Sequence, residues 1–371
     1  MKKSGIQYLK ISHFKSIDSL ELRNINNFSV FAGANGSGKS NFFDALDFVS
    51  RLIRVGLTDA LRGHGGFENI HSRHPEQRFE FEIKYSLPAL NENWWYCLGL
   101  QSFSDKPEIE ERILLNSNLL FERKTGQSPY LNSGETKTPI DGFSANYSGL
   151  HLFSETFLIK WLSNFRLYRL EPKRALAQFE QDSSLLTYNG HNLPSVLRRL
   201  EQNDDLRETI LEWMETVVPG IQQIKTERQP LNGGTAILFK EHGTDKPFPA
   251  PMMSEGTIYA LCLLVAVLDT PSEYGLTLIE EPERGLHPQA IFEFIDFIRT
   301  QASISNPIWM TTHSESVVRQ LQLDELWLTD KKNGITQVKA ANCGRLQQQD
   351  LAPLGVDEAW LSNLLGGGLP W

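Results

Sequence analysis

The chain has 371 residues, is 40% hydrophobic, and sets 36 Lys and Arg against 45 Asp and Glu. That length holds one large or two ordinary domains with a sizeable core, and the composition excludes disordered and fibrous classes. The net charge of −9 excludes a global basic field that would draw the chain onto nucleic acid or an anionic membrane, so any such contact must be local. Cys97, Cys262 and Cys343 form no CxxC pair, which argues against a disulfide framework or thiolate zinc site and fits a reducing compartment. The start lacks the apolar run of a signal peptide, and the longest apolar stretch, near Ala260 to Leu268, is too short to span a bilayer. A cytoplasmic protein without membrane contact is expected.

In chain order, Ile6 to Phe14 and Ser19 to Leu22 alternate as strands, and Phe28 to Phe31 is a short apolar strand. Asn41 to Ile53 has helical spacing at Phe42, Leu46, Val49 and Leu52. Arg78 to Tyr85 alternates strictly, and with Trp94 to Leu100 and Ile113 to Glu122 it predicts an antiparallel meander. Residues 124–149, rich in Gly, Ser, Thr, Asn and Pro, predict a flexible excursion. Helices are expected over 156–164, 192–202 and 205–217, the last stopped by Pro219 and Gly220. Two strand-like runs follow, Ile221 to Glu227 and Thr235 to Lys240, leading into the apolar helix of MSEGTIYALCLLVAVL.

Strand and helix then alternate: Leu276 to Ile279, Gln289 to Arg299, Ile308 to Thr311, Glu315 to Leu321, and Glu325 to Leu328. This order predicts an α/β fold, a mixed and largely parallel sheet with flanking helices, beside an antiparallel β lobe and a helical lobe. The expected division is 1–155, 156–250 and 251–371, the first and last parts together forming one composite head. No repeat at 20–50 residues and no long heptad run is visible.

GANGSGKS, Gly33 to Ser40, fits G-x-x-x-x-G-K-[ST] between a predicted strand and a predicted helix. Its glycines let backbone N–H groups turn inward as an anion nest, and the helix start adds partial positive charge. Gly33, Asn35, Gly36, Ser37, Gly38, Lys39, Ser40 and the following Asn41 are therefore candidate nucleotide-binding residues. Lys39 would reach the β and γ phosphates, and the Ser40 hydroxyl would ligate Mg²⁺.

In GLTLIEEPERGLHP an apolar strand delivers two adjacent carboxylates at its C-terminal edge, where α/β sheets place ligands. Glu280 would sit behind the Mg²⁺ and its waters, and Glu281 would orient or deprotonate the attacking water. In IWMTTHSESVV, His313 stands at a strand end and can reach a γ-phosphate, although such a histidine taken alone is more often a capping or surface residue. In MSEGT, Ser254 and Gly256 at a helix start would make a second anion site, or Ser254 is an ordinary N-cap with Glu255 in the first turn.

In this order the four pieces resemble the ATP-binding-cassette (ABC) ATPases: Walker A at Gly33 to Ser40, signature at Ser254 to Thr257, Walker B with its Glu at Leu276 to Glu281, D-loop at Pro282 to Leu286, and switch His313. KISHFKSI with GKSNFFDAL is similar to the RecF, SMC and OLD group rather than to transporter subunits. LTYNGHNLPSVLRRL, MSEGT, IEEPERGLHP and TTHSESVV resemble stand-alone bacterial AAA family ATPases of anti-phage systems. The resemblance implies a P-loop fold of ABC type that hydrolyses ATP with Mg²⁺ in a head-to-tail homodimer or higher even oligomer. In it, Ser254 and Gly256 of one subunit touch the γ-phosphate held by the other. It also implies a nucleotide switch that controls a separate effector such as a nuclease; the other class it leaves open is a DNA-binding ATPase of repair or chromosome maintenance.

The sequence departs from that pattern in several places. Glu280 stands where most relatives have Asp, and Glu255 replaces a signature glycine and adds a negative charge. Gln77 and the turn near Glu171 compete for the Q-loop. The long coiled coils of SMC relatives are absent, and the 58 residues after His313 are too few for the nuclease domain of OLD relatives.

Other signals carry less. His64, His71 and His74 cluster without acids or cysteines at zinc spacing. Glu82-Ile83-Lys84 matches a nuclease tail but lies in an amphipathic strand. The basic pairs Arg51/Arg54, Lys173/Arg174 and Arg198/Arg199 read as solvated faces, with local nucleic-acid contact as the other reading. Trp94-Trp95 reads as hairpin core, and Trp371 as a partner anchor.

Overall fold

Alternation of apolar and polar residues sends the N-terminal half into one sheet and the apolar runs into another. In the computed structural model, which describes residues 5–72, 78–101, 107–134, 136–173, 175, 185–229, 233–269, 274–343, 348–351 and 354–365, β1 (Gly5–Phe14) and β2 (Ile17–Arg23) form a hairpin. The chain then crosses to β3 (Phe28–Ala32) and, through the glycine-rich loop, to α1 (Lys39–Val55), α2 (Leu57–Gly63) and α3 (Phe67–Ile70). β4 (Phe79–Leu87), β5 (Glu92–Gln101), β6 (Glu108–Leu115), β7 (Asn118–Arg123), β8 (Tyr130–Asn132) and β9 (Lys137–Pro139) return to the first hairpin. They complete an eight-stranded antiparallel sheet of order β2-β1-β4-β5-β6-β7-β8-β9.

The expected strand over Ile113 to Glu122 is two strands. Asn116 and Ser117 take φ of 49° and 68°, the left-handed pair of a tight two-residue hairpin, and so fold β6 back onto β7. The excursion over 124–149 holds the hairpin of β8 and β9, so part of it is sheet.

α4 (Phe157–Leu162), β10 (Phe165–Tyr168), α5 (Leu193–Leu200), α6 (Asp204–Val217) and a small antiparallel sheet of β11 (Ile221–Arg228), β12 (Thr235–Glu241) and β13 (Phe248–Pro249) follow. The rest alternates α7 (Glu255–Leu268), β14 (Leu276–Glu280), α8 (Pro288–Gln301), β15 (Ile308–Thr312), α9 (Glu315–Val318), β16 (Leu326–Lys332), β17 (Ile335–Ala340) and α10 (Val356–Leu361). The central sheet has the order β10-β14-β15-β3-β16-β17, parallel through β16, with β17 antiparallel at one edge. Two of its strands, β10 and β17, are absent from the sequence expectation, and α9 stops at Val318 rather than Leu321.

The central sheet separates two apolar cores, and strand alternation decides which side chain enters which. Phe31, Leu278, Trp309 and Trp327 face α1 and the large sheet, whereas Val30, Ile279, Met310 and Leu328 face the core that includes α7. Phe31 lies at the middle of the first core, with ring centroids 4.8 Å from Phe42, 5.7 Å from Trp309 and 6.0 Å from Trp327. α7 is apolar all round because it is buried from Thr257 to Val267. This packing fixes the C-terminal ends of β3, β14 and β15 side by side, with Ala32 opposite Thr312 and Glu280 opposite Thr311.

Candidate nucleotide site

The loop 33–38 leaves β3 at that edge and enters α1. Gly38 has φ 102°, and a Cβ there would lie 1.9 Å from Thr336 Oγ1; a Cβ on Gly33 would lie 2.1 Å from the Thr329 carbonyl oxygen. The loop is thus wedged against β16 and β17, with no room for a side chain at either glycine. Thr336 Oγ1 donates to the Ser37 carbonyl at 3.1 Å and meets Ser16 Oγ at 2.7 Å, and Asn41 Nδ2 donates to Ser16 Oγ at 2.6 Å.

Lys39 is buried, and its ammonium donates to the carbonyls of Gly33 at 2.7 Å and Ala34 at 3.0 Å. Burial lowers its pKa from the usual lysine value, against the pull of Glu281, Glu283 and Glu280. The buried Ser37 hydroxyl has no hydrogen-bond partner among the described residues, while Asn35, Gly36 and Ser40 are exposed at the mouth of the loop.

Across the mouth stands the end of β14. Ser40 Oγ donates to Glu280 Oε2 at 3.2 Å. The other oxygen, Oε1, accepts from Arg169 at 2.8 Å, and the same guanidinium nitrogen reaches Asp44 Oδ1 at 2.6 Å. Lys15 also pairs with Asp44. Glu281 takes φ 48°, a left-handed backbone that costs a non-glycine residue about 1–3 kcal/mol. Two bonds hold it there: its N–H donates to the Thr311 carbonyl at 3.0 Å, and Tyr259 Oη donates to its carbonyl at 3.0 Å. The turn aims the side chain at His313, whose Nδ1 lies 3.3 Å from Glu281 Oε1.

Glu283 supports the histidine from behind. Its Oε1 accepts from Thr312 Oγ1 at 2.7 Å and from the His313 N–H at 3.3 Å, and its buried Oε2 has no partner among the described residues.

Ser254 is the N-cap of α7, accepting from the Thr257 N–H at 3.1 Å, as the plainer of the two readings expects. The N–H groups of Glu255 and Gly256 have no partner among the described residues. A Cβ on Gly256 would lie 2.7 Å from the Gly285 carbonyl oxygen, so this helix start packs closely on the 282–286 turn. The added charge of Glu255 is met by Lys173 at 3.3 Å, an exposed pair.

The structure therefore brings Gly33, Lys39, Ser40, Glu280, Glu281 and His313 to one edge, while Ser254 and Gly256 make no hydrogen bond to the loop 33–40 among the described residues. Arg169, Glu283, Tyr259 and Thr336 complete the site. No motif flagged the first, because it follows a four-residue strand that falls between the helices expected over 156–164 and 192–202. Gln77, His74, Arg174 and Trp371 lie outside the described residues. His64 is tied to Asp47 at 3.4 Å and the His71 ring lies tilted 5.0 Å from that of Phe67, and among the described residues no group of three or more His, Cys, Asp or Glu is placed to hold a metal ion by itself.

The donor set fits a nucleotide with a hard divalent cation. A cradle closed to side chains, an unpartnered buried hydroxyl at Ser37 and a lysine inside the loop suit phosphate, and the paired oxygens of Ser40 and Glu280 suit Mg²⁺. Among the described residues no helix is long and apolar enough to cross a membrane.

The chain is similar to several known proteins. An "ATP/GTP phosphatase" of Helicobacter pylori is 20% identical over 341 residues, covering 85% of this chain and 87% of that protein. The Saccharomyces cerevisiae structural maintenance of chromosomes protein 4 is 25% identical over 228 residues, 58% of this chain but 14% of that protein. The crystal structure of an SmcHead bound to the C-winged helix domain of ScpA superposes with a TM-score of 0.60 at 14% identity, covering 90% of this chain and 97% of that one. An Smc head domain with an extended coiled coil, bound to the C-terminal domain of ScpA derived from Pyrococcus furiosus, gives 0.53 at 13% identity over 90% and 96%. These two show the fold. Residues 28–319 match the AAA_21 family, described as "AAA domain, putative AbiEii toxin, Type IV TA system". Because that match spans well over half of the chain, the protein belongs to this family and is an AAA-domain ATPase built on the ABC-type fold of Smc heads.

Proposed function

We propose that the chain binds ATP with Mg²⁺, hydrolyses it at a site completed by a second copy, and uses the cycle to switch a separate effector of nuclease type in bacterial anti-phage defence. The observation that carries the reading is the convergence of Lys39, Ser40, Glu280, Glu281 and His313 on one sheet edge. The inward N–H groups of the loop and the Lys39 ammonium hold the phosphates, releasing Lys39 from its loop carbonyls. Ser40 and Glu280 hold the cation, which when bound neutralises charge on the phosphates. Glu281 accepts a proton from the attacking water, and His313 fixes its carboxylate from 3.3 Å.

The N–H groups of Glu255 and Gly256, without a partner among the described residues and beside Ser254, are the donors offered to the nucleotide of the second copy. Met252, exposed two residues before Ser254, gives that face an apolar contact. The relative named a phosphatase of ATP and GTP supports hydrolysis. A head bound to ScpA and a family description naming a type IV TA system support a partner-controlling role. The DNA-clamp reading is less favoured, because the net charge is −9 and three cations on or beside the large sheet are already paired with carboxylates, Lys10 to Glu80, Arg78 to Glu110 and Arg112 to Glu122.

The test is to co-express the chain with the product of the adjacent gene and measure nuclease activity with ATP, with ADP and with Lys39→Ala. The reading expects activity that depends on the nucleotide state. Activity indifferent to nucleotide and to Lys39 would sink the switch.

A further inference from the structure

We propose that Arg169 is a positioning residue for Glu280: by holding Oε1 it keeps Oε2 on Ser40, and so sets the affinity of the nucleotide site for its divalent cation. This rests on the cation site read above. The argument begins with the longer arm. A glutamate has one more rotatable bond than the aspartate of most ABC relatives, so its carboxylate needs a second restraint to stay beside Ser40. Arg169 supplies one by register. β10 pairs with β14 through Tyr168 and Ile279, which places the next residues, Arg169 and Glu280, side by side at the sheet edge.

The guanidinium spans 2.8 Å to Glu280 and 2.6 Å to Asp44. Asp44 lies four residues after Ser40 on α1, hence on the same helix face, and Lys15 holds it from the other side. The chain Lys15, Asp44, Arg169, Glu280 alternates in sign, so each ion has an opposite neighbour and the carboxylate is fixed at both oxygens. Arg169 acts on Oε1 and leaves the Oε2 and Ser40 side clear, the geometry of a support rather than of a rival cation.

Mn²⁺ binding with a saturating non-hydrolysable ATP analogue, read by the paramagnetic resonance signal of free Mn²⁺, tests this in the full chain. Arg169→Ala should weaken Mn²⁺ about tenfold, as loss of an outer-shell partner does, while metal-free analogue binding stays unchanged. Arg169→Lys should recover only part, since a single ammonium bridges Asp44 and Glu280 poorly. In Glu280→Asp the shorter arm withdraws from Arg169, so adding Arg169→Ala should cost nothing further. Mn²⁺ held as tightly as in the parent would make Arg169 a bystander, tighter binding would make it a competitor, and additive losses in the double variant would break the link to Glu280; each overturns the inference. A parent that binds the analogue but no Mn²⁺ overturns the cation-site reading itself.

Discussion

Glu283→Ala should separate turnover from nucleotide binding. The Glu283 side chain is 7% exposed and accepts from Thr312 at 2.7 Å and from the His313 N–H at 3.3 Å. Hydrogen bonds to a charged acceptor contribute about 1.5–3 kcal/mol each, so removing it frees roughly 3–6 kcal/mol of restraint. Relief of a desolvated carboxylate with one oxygen unpartnered among the described residues offsets part of this, leaving about 1–3 kcal/mol that held the 312–313 turn in place. At about 1.4 kcal/mol per factor of ten, turnover should fall roughly 10- to 100-fold if that restraint keeps His313 on Glu281. ATP affinity should hold within about twofold, because Lys39 and the loop 33–38 do not contact Glu283 by hydrogen bond. Glu283→Gln should lose less than about tenfold, since its amide can turn its oxygen to Thr312 and His313 and its nitrogen to the vacant side. Phosphate release at saturating ATP gives turnover, calorimetry gives affinity, and a thermal melt guards against unfolding. A Glu283→Ala protein that turns over within about twofold of the parent would refute the reasoning.

Three further outcomes are expected. Lys39→Ala should lose ATP binding by calorimetry, because a buried charged phosphate contact is removed; parental affinity would end the P-loop reading. Glu281→Gln should bind ATP normally yet stop turnover, since an amide accepts no proton, and unchanged steady-state hydrolysis would move the base to His313 or Glu283. Phe31→Ala should cost about 3–5 kcal/mol in urea unfolding, because its ring is fully buried between Phe42, Trp309 and Trp327; a loss under about 1 kcal/mol would contradict the described core.

Most of the fold was legible because its signals are local. The loop GANGSGKS needs glycine at Gly33 and Gly38 for reasons the structure shows as Cβ clashes, and the strand ending at Glu280 reads directly as an apolar run. Signals that depend on distant packing were not legible. β10 is four residues long, too short for a period, and exists because β14 offers it an edge. β17 is half polar, and its Thr336 matters only through the loop 33–38, about 300 residues earlier in sequence. The turn at Asn116 and Ser117 carries a hairpin signature that the apolar residues on both sides masked. In the site, paired carboxylates and the histidine announce themselves by residue type, whereas Arg169 gains meaning only from the register that sets it beside Glu280.

The composite site is tested most directly by light scattering of the Glu281→Gln chain with and without Mg-ATP, beside the same chain carrying Ser254→Arg. Blocked turnover keeps the γ-phosphate in place, so the account predicts a doubling of mass with Mg-ATP that is lost when the bulkier side chain of Ser254→Arg covers the start of α7. A chain that stays monomeric with Mg-ATP, or that pairs equally well with Ser254→Arg, would contradict it and leave a P-loop ATPase complete in one copy.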